Sequence, residues 1–198
     1  GGRNVALRYD QTVPLARVVA QYPSTGSGQV ITLPFKRYQI QPVWRAEKPQ
    51  RGRFREFVQC DIDTVGTDSE IADSEIVACA LDGARKLGFE KTIMEVNDRR
   101  IFEGVDKKYL VSLDKLAKVG EEKVREELVA KGMSPKEATG FVDRFKKARP
   151  TETIKKIFSY LDTMGFKENK DFRFNPLIVR GLDYYTGAIF ELVDFNPL

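Results

Sequence analysis

The chain has 198 residues, 41% hydrophobic and 31% charged, with a formal net charge of +4, which suits one sizeable domain or a domain carrying an insertion. It contains no histidine, so histidine triads, histidine-ligated zinc and histidine general bases are excluded within it. Cys60 and Cys79 stand too far apart for a zinc ribbon or disulfide framework, and no run approaches the roughly 18 apolar residues of a membrane span.

From the N-terminus, Leu7 to Arg17 predicts a strand-to-helix junction with Asp10 or Thr12 as the helix cap. The same pair sets a carboxylate beside a hydroxyl, a combination that can receive an α-ammonium group. Tyr22 to Gly28 reads as a flexible turn. Val30–Phe35, Lys36–Arg45 and Arg53–Thr64 are predicted to be extended on their β-branched and aromatic content. Ala46–Gly52, with proline, glycine and several charges, is the hairpin loop between the last two.

Alternation along Arg53–Asp63 puts Arg53, Arg55, Phe57, Gln59, Asp61 and Asp63 on one face. Phe54, Val58, Cys60 and Ile62 share the other, which is expected to be the core face. The polar row fits either a solvated sheet surface or a charge gradient for a zwitterionic, phosphate-bearing ligand. At the base of the loop, Arg45 is placed to hold a phosphate, and Glu47 to accept from an adenine amino group.

A helix follows, with Thr67 and Glu70 spaced as a capping box and Gly88 placed to end it. Phe89–Val96 predicts a strand. Residues 98–168 are lysine-rich and helical, with a Ser134–Glu137 capping box, Pro135 at the first helical position, and a last helix from Thr151 or Thr153 to about Met164. This block is either a solvated helical insertion or a lysine surface for a phosphate backbone. Strand character returns at Phe172.

Leu177 to Gly187 reads LIVRGLDYYTG. Arg180 offers a planar donor fork for carboxylate or phosphate, and Tyr184 and Tyr185 add aromatic surface with hydroxyls. By itself the stretch also fits an amphipathic strand followed by a turn.

Together these segments resemble a known family. Arg45-x-Glu47, the basic loop and the Arg53–Asp63 strand resemble motif 2 of class II aminoacyl-tRNA synthetases. Leu7–Arg17 and Val179–Tyr185 narrow the resemblance to the histidyl-tRNA synthetases. The resemblance implies an α+β fold, an antiparallel sheet flanked by helices, with 1–97 and 169–198 forming a catalytic core around a helical insertion at 98–168. It implies that Asp10 and Thr12 bind the amino-acid end of histidine with help from Gln59. Asp63 and Tyr185 would read the imidazole, with Tyr184 lining the same pocket. Arg45 and Arg180 would be the catalytic residues, acting on the α-phosphate of ATP. Glu47 and Arg53 would complete the ATP site.

The substrates implied are histidine, ATP with its Mg2+ and tRNA(His), with no metal site in the protein itself. A cytoplasmic homodimer without membrane attachment is expected. The segments that build the family's dimer interface and its last ATP-binding motif would fall before Gly1 and after Leu198, so an internal catalytic piece is expected. The alternative is a histidine-sensing regulatory paralogue of the ATP phosphoribosyltransferase type, which has no need for Arg45, Arg51, Arg53 and Arg180 together.

Overall fold

Residues 1–68 and 69–198 form two compact units, described in turn. The computed structural model describes residues 4–22, 31–180 and 185–195.

In the first unit, helix α1 (Thr12–Gln21) is followed by strands β1 (Phe35–Trp44) and β2 (Glu56–Val65). The strands form an antiparallel hairpin in which Trp44 faces Glu56, Gln41 faces Gln59 and Arg37 faces Asp63. The expected extended run from Val30 is absent over residues 31–34, which are irregular and include a cis Leu33–Pro34 bond. Proline lacks the N–H that a ladder needs, so β1 begins only after it. The connection to β2 contains a tight Gln50–Arg53 turn, with Gly52 at φ +75°.

The two faces of this hairpin depart from expectation. Val58 is 66% exposed and Ile62 37%, and Cys60 is exposed, whereas Phe57, Gln59, Asp61 and Asp63 are all half-buried. Local hydrogen bonding accounts for the reversal. The buried Gln11 donates through Nε2 to the Gln59 carbonyl at 3.0 Å, and Arg37 reaches the Gln11 carbonyl at 3.2 Å. The start of α1 is thereby drawn over the polar face. Arg8 secures the preceding segment, donating to the Pro42 carbonyl at 2.8 Å.

The second unit opens with helix α2 (Glu70–Lys86). Its N-cap is Ser69, two residues beyond the expected Thr67. Gly88 ends the helix as expected: at φ +95° it lets Phe89 N–H return to the Ala84 carbonyl at 3.0 Å, a Schellman closure. Strand β3 (Thr92–Asp98) leads through a 3-10 turn at Arg99–Phe102 into α3 (Lys107–Leu113), α4 (Leu116–Val119), α5 (Glu121–Ala130), α6 (Pro135–Lys146) and α7 (Glu152–Thr163). The Ser134–Glu137 capping box forms, and Thr151 caps α7.

Strands β4 (Phe172–Phe174) and β5 (Ala188–Asp194) flank β3 in the order β4-β3-β5. The β3–β5 pairing is antiparallel, but β4 pairs parallel to β3. A parallel neighbour needs a long crossover, and the helices between β3 and β4 supply it.

Helices α2 and α7 lay Val77, Leu81, Ile154, Ile157 and Leu161 against Met94, Val96 and Phe172 of the sheet. Each such aliphatic side chain, when fully buried, contributes about 1.5–3 kcal/mol. Smaller clusters hold the remaining helices: Phe102, Leu110, Leu113 and Phe145 with Val179, and Val124, Leu128, Ala138 and Val142. Among the described residues, no helix is long and apolar enough to cross a membrane.

Candidate active site

In the first unit, the polar face of the hairpin is wired along its length. Arg45 donates through Nη2 to Gln59 Oε1 at 3.1 Å, and Gln59 passes its own amide to Asp61 Oδ1 at 2.7 Å. The Arg45 guanidinium lies 4.7 Å from the Tyr9 ring centroid and 5.0 Å from that of Phe57. Two rings and an amide thus fix the direction of an arginine on an open surface.

Beside it is a cavity of about 350 Å³, lined by Arg45, Glu47, Gly52, Arg53, Phe54 and Phe57. Arg53 and Glu47 approach across it at 3.8 Å, and Arg55 donates to the Glu47 carbonyl at 3.2 Å. Cations, a carboxylate and aromatic rings around one small cavity provide for a phosphate, an amine and a flat ring.

At the acidic end, Asp63 pairs with Arg37 at 2.9 Å. The contact is ionic and lacks hydrogen-bond alignment, since Asp63 Oδ2 is buried without a hydrogen-bond partner. Arg37 also donates to Gln39 Oε1. Asp10 Oδ1 accepts from the Thr12 backbone N–H at 3.1 Å, but Asp10 lies one residue outside the N-cap, which is Gln11 and makes no side-chain capping bond, so neither Asp10 nor Thr12 is the cap expected. The second Asp10 oxygen and the exposed Thr12 side chain lie at the mouth of α1.

Sequence reading passed over Gln11 and Arg37. Gln11 is fully buried, and its Oε1 has no hydrogen-bond partner. The signal for Arg37 was the register itself: it faces Asp63 across the hairpin.

In the second unit, Arg180 follows the buried Ile178 and Val179 and forms a two-pronged pair with Glu191 of β5. Its Nε donates to Oε2 at 3.2 Å and its Nη2 to Oε1. This hydrogen-bonded partner raises the Arg180 pKa above its ordinary value despite partial burial. The run into Arg180 is pinned from β3, where Asn97 Nδ2 donates to the Ile178 carbonyl at 3.0 Å. Arg99 N–H donates to the Gly187 carbonyl at 2.8 Å, just before β5. Tyr185 is 47% exposed, and Tyr184 lies outside the described residues.

A model of the histidyl-tRNA synthetase family matches residues 1–138. The chain belongs to the histidyl-tRNA synthetase family. It is 37% identical over 221 aligned positions to a histidine–tRNA ligase of Cytophaga hutchinsonii, covering 96% of this chain and 48% of that protein. The chain therefore spans about half the length of the curated relatives it matches. The crystal structure of histidyl-tRNA synthetase from Nostoc superposes with a TM-score of 0.78 at 27% identity, over 97% of this chain and 51% of that one. A Bacillus halodurans structure described as an ATP phosphoribosyltransferase regulatory subunit/histidyl-tRNA synthetase superposes at TM-score 0.71 and 19% identity. It covers 96% of this chain and 54% of that one, and at that identity it shares the fold alone. These likenesses agree with the antiparallel, helix-flanked class II fold expected for the family.

Proposed function

We propose that this chain is the adenylate-forming part of a histidine–tRNA ligase. It would take histidine and Mg2+-bound ATP to histidyl-adenylate with release of pyrophosphate, and then pass histidine to tRNA(His) with release of AMP. The observation that carries this reading is Arg45, held by Gln59, Tyr9 and Phe57 at the edge of a cavity shared with Glu47 and Arg53.

Attack of the histidine carboxylate on the α-phosphate needs no protein nucleophile. It needs alignment and cations where charge builds on the phosphorus oxygens. In this reading Arg45 and Arg180 supply those cations, and Glu47 and Arg53 hold the nucleotide. Asp10, Thr12 and Gln59 receive the amino-acid end. Asp63, Tyr184 and Tyr185 read the imidazole, so analogues lacking either ring nitrogen leave a polar group unpaired. Residues 1–97 and 169–198 act as the catalytic core and 98–168 as its helical insertion. The active form is a cytoplasmic homodimer.

The decisive experiment is histidine-dependent ATP–pyrophosphate exchange, with Asp63→Ala as control. Exchange with histidine alone, lost in the control, supports the ligase. Histidine binding without exchange, in this chain and in the longer protein that contains it, would instead identify a regulatory paralogue sharing the fold.

A further inference from the structure

We propose that Glu191 is the positioning residue for Arg180. It would hold the guanidinium so that its outer edge faces an anionic ligand. The inference rests on the reading of Arg180 as a phosphate-binding cation.

Register sets three charged residues in a row across the sheet: Arg173 on β4, Glu95 on β3 and Glu191 on β5. Glu95 is almost fully buried and already served. Arg173 Nε donates to its Oε1 at 2.8 Å, and Asn175 Nδ2 to its Oε2 at 2.6 Å. Glu191, directly opposite, therefore sits beside a like charge, an arrangement that is unfavourable without a cation. Arg180 supplies that cation.

The contact takes Nε–H and one Nη2–H of the guanidinium. An arginine has five N–H donors in a fixed plane. The other Nη2 hydrogen and the adjacent Nη1 hydrogen form a second fork on the edge away from Glu191. The Arg180 side chain is 57% exposed and that of Glu191 33%, so the mounted guanidinium stays largely accessible to solvent, with Asp114 and Tyr185 the further groups that act on its charge. An arginine held this way meets a phosphate without first losing its rotamer freedom.

The test is a double-mutant cycle in pyrophosphate exchange with wild type, Arg180→Ala, Glu191→Gln and the double variant. Glu191→Gln is expected to lower kcat about tenfold or more, with the KM for histidine within about twofold. Its melting temperature should change little, because the Arg180–Glu191 pair is partly exposed and such pairs contribute little to stability. The double variant should match Arg180→Ala alone, since Glu191 acts only through that side chain.

Wild-type kcat in Glu191→Gln, or losses that multiply in the double variant, would overturn the proposal. Wild-type exchange in Arg180→Ala would overturn the phosphate role of Arg180 itself, and this proposal with it. A readout independent of catalysis is the Arg180 Nε–H in nitrogen-resolved NMR. It should exchange slowly in wild type and rapidly in Glu191→Gln, and equal exchange in both would also refute the mount.

Discussion

The side-chain amide of Asn97 donates to the Ile178 carbonyl at 3.0 Å, with Asn97 fully buried. That carbonyl belongs to an irregular run two residues before Arg180, so β3 supplies a partner that no strand ladder provides. Asn97→Ala would leave it unsatisfied in a dry place. The expected cost is about 1–3 kcal/mol, read as a lower urea midpoint with an unchanged slope.

Arg45 is predicted to be irreplaceable by lysine. Its plane meets Gln59 and lies near two aromatic rings, and an ammonium reproduces neither geometry. Both Arg45→Ala and Arg45→Lys should lower kcat for pyrophosphate exchange by about 10²–10³. Steady-state exchange together with a melting curve separates this loss from unfolding.

Asp63 should set affinity for the amino acid and leave ATP untouched. Asp63→Asn keeps the shape but removes the charge that Arg37 faces at 2.9 Å. The KM for histidine is expected to rise about 10- to 100-fold, with the KM for ATP unchanged, as titrating each substrate in turn would show.

The helical segment carries an acid-sensitive tie. Hydrogen bonds from Lys131, then Lys115, hold the Glu127 carboxyl down at about 2, against an ordinary 4.5. A carboxylate lowered on folding stabilises the native state above its unfolded pKa and loses that effect as pH falls through the folded one. Lys131→Met should therefore be less stable than wild type at pH 7, and the gap should shrink between about pH 4.5 and pH 2. Urea unfolding at several pH values measures it. Because the pair is partly solvated, added salt should narrow the gap as well.

Much of this fold was legible because local rules and tertiary packing agree. Ser134 and Glu137 form the capping box that their spacing requires, and Gly88 takes the positive φ expected after a helix. The hairpin strands fall within a few residues of their predicted limits. Alternation correctly sorted β2 into two faces, but the apolar face expected to be the core is the exposed one. That was decided by Gln11 and Arg37, two polar residues far apart in sequence. The parallel β4 was equally hidden, since strand direction follows from the crossover rather than from composition. At the site, Arg45 and Gln59 were both named from residue type, and their direct contact emerged only from the register.

The row from Arg173 through Glu95 and Glu191 to Arg180 also constrains how this sequence can drift. Two carboxylates face one another, each neutralised by its own arginine. Loss of either arginine alone exposes the repulsion between them, whereas loss of an arginine with its acid does not. Positions 180 and 191 should therefore covary across relatives, as should 95 and 173. A lineage released from phosphate chemistry is free to discard the outer pair, and would be expected to discard both members together.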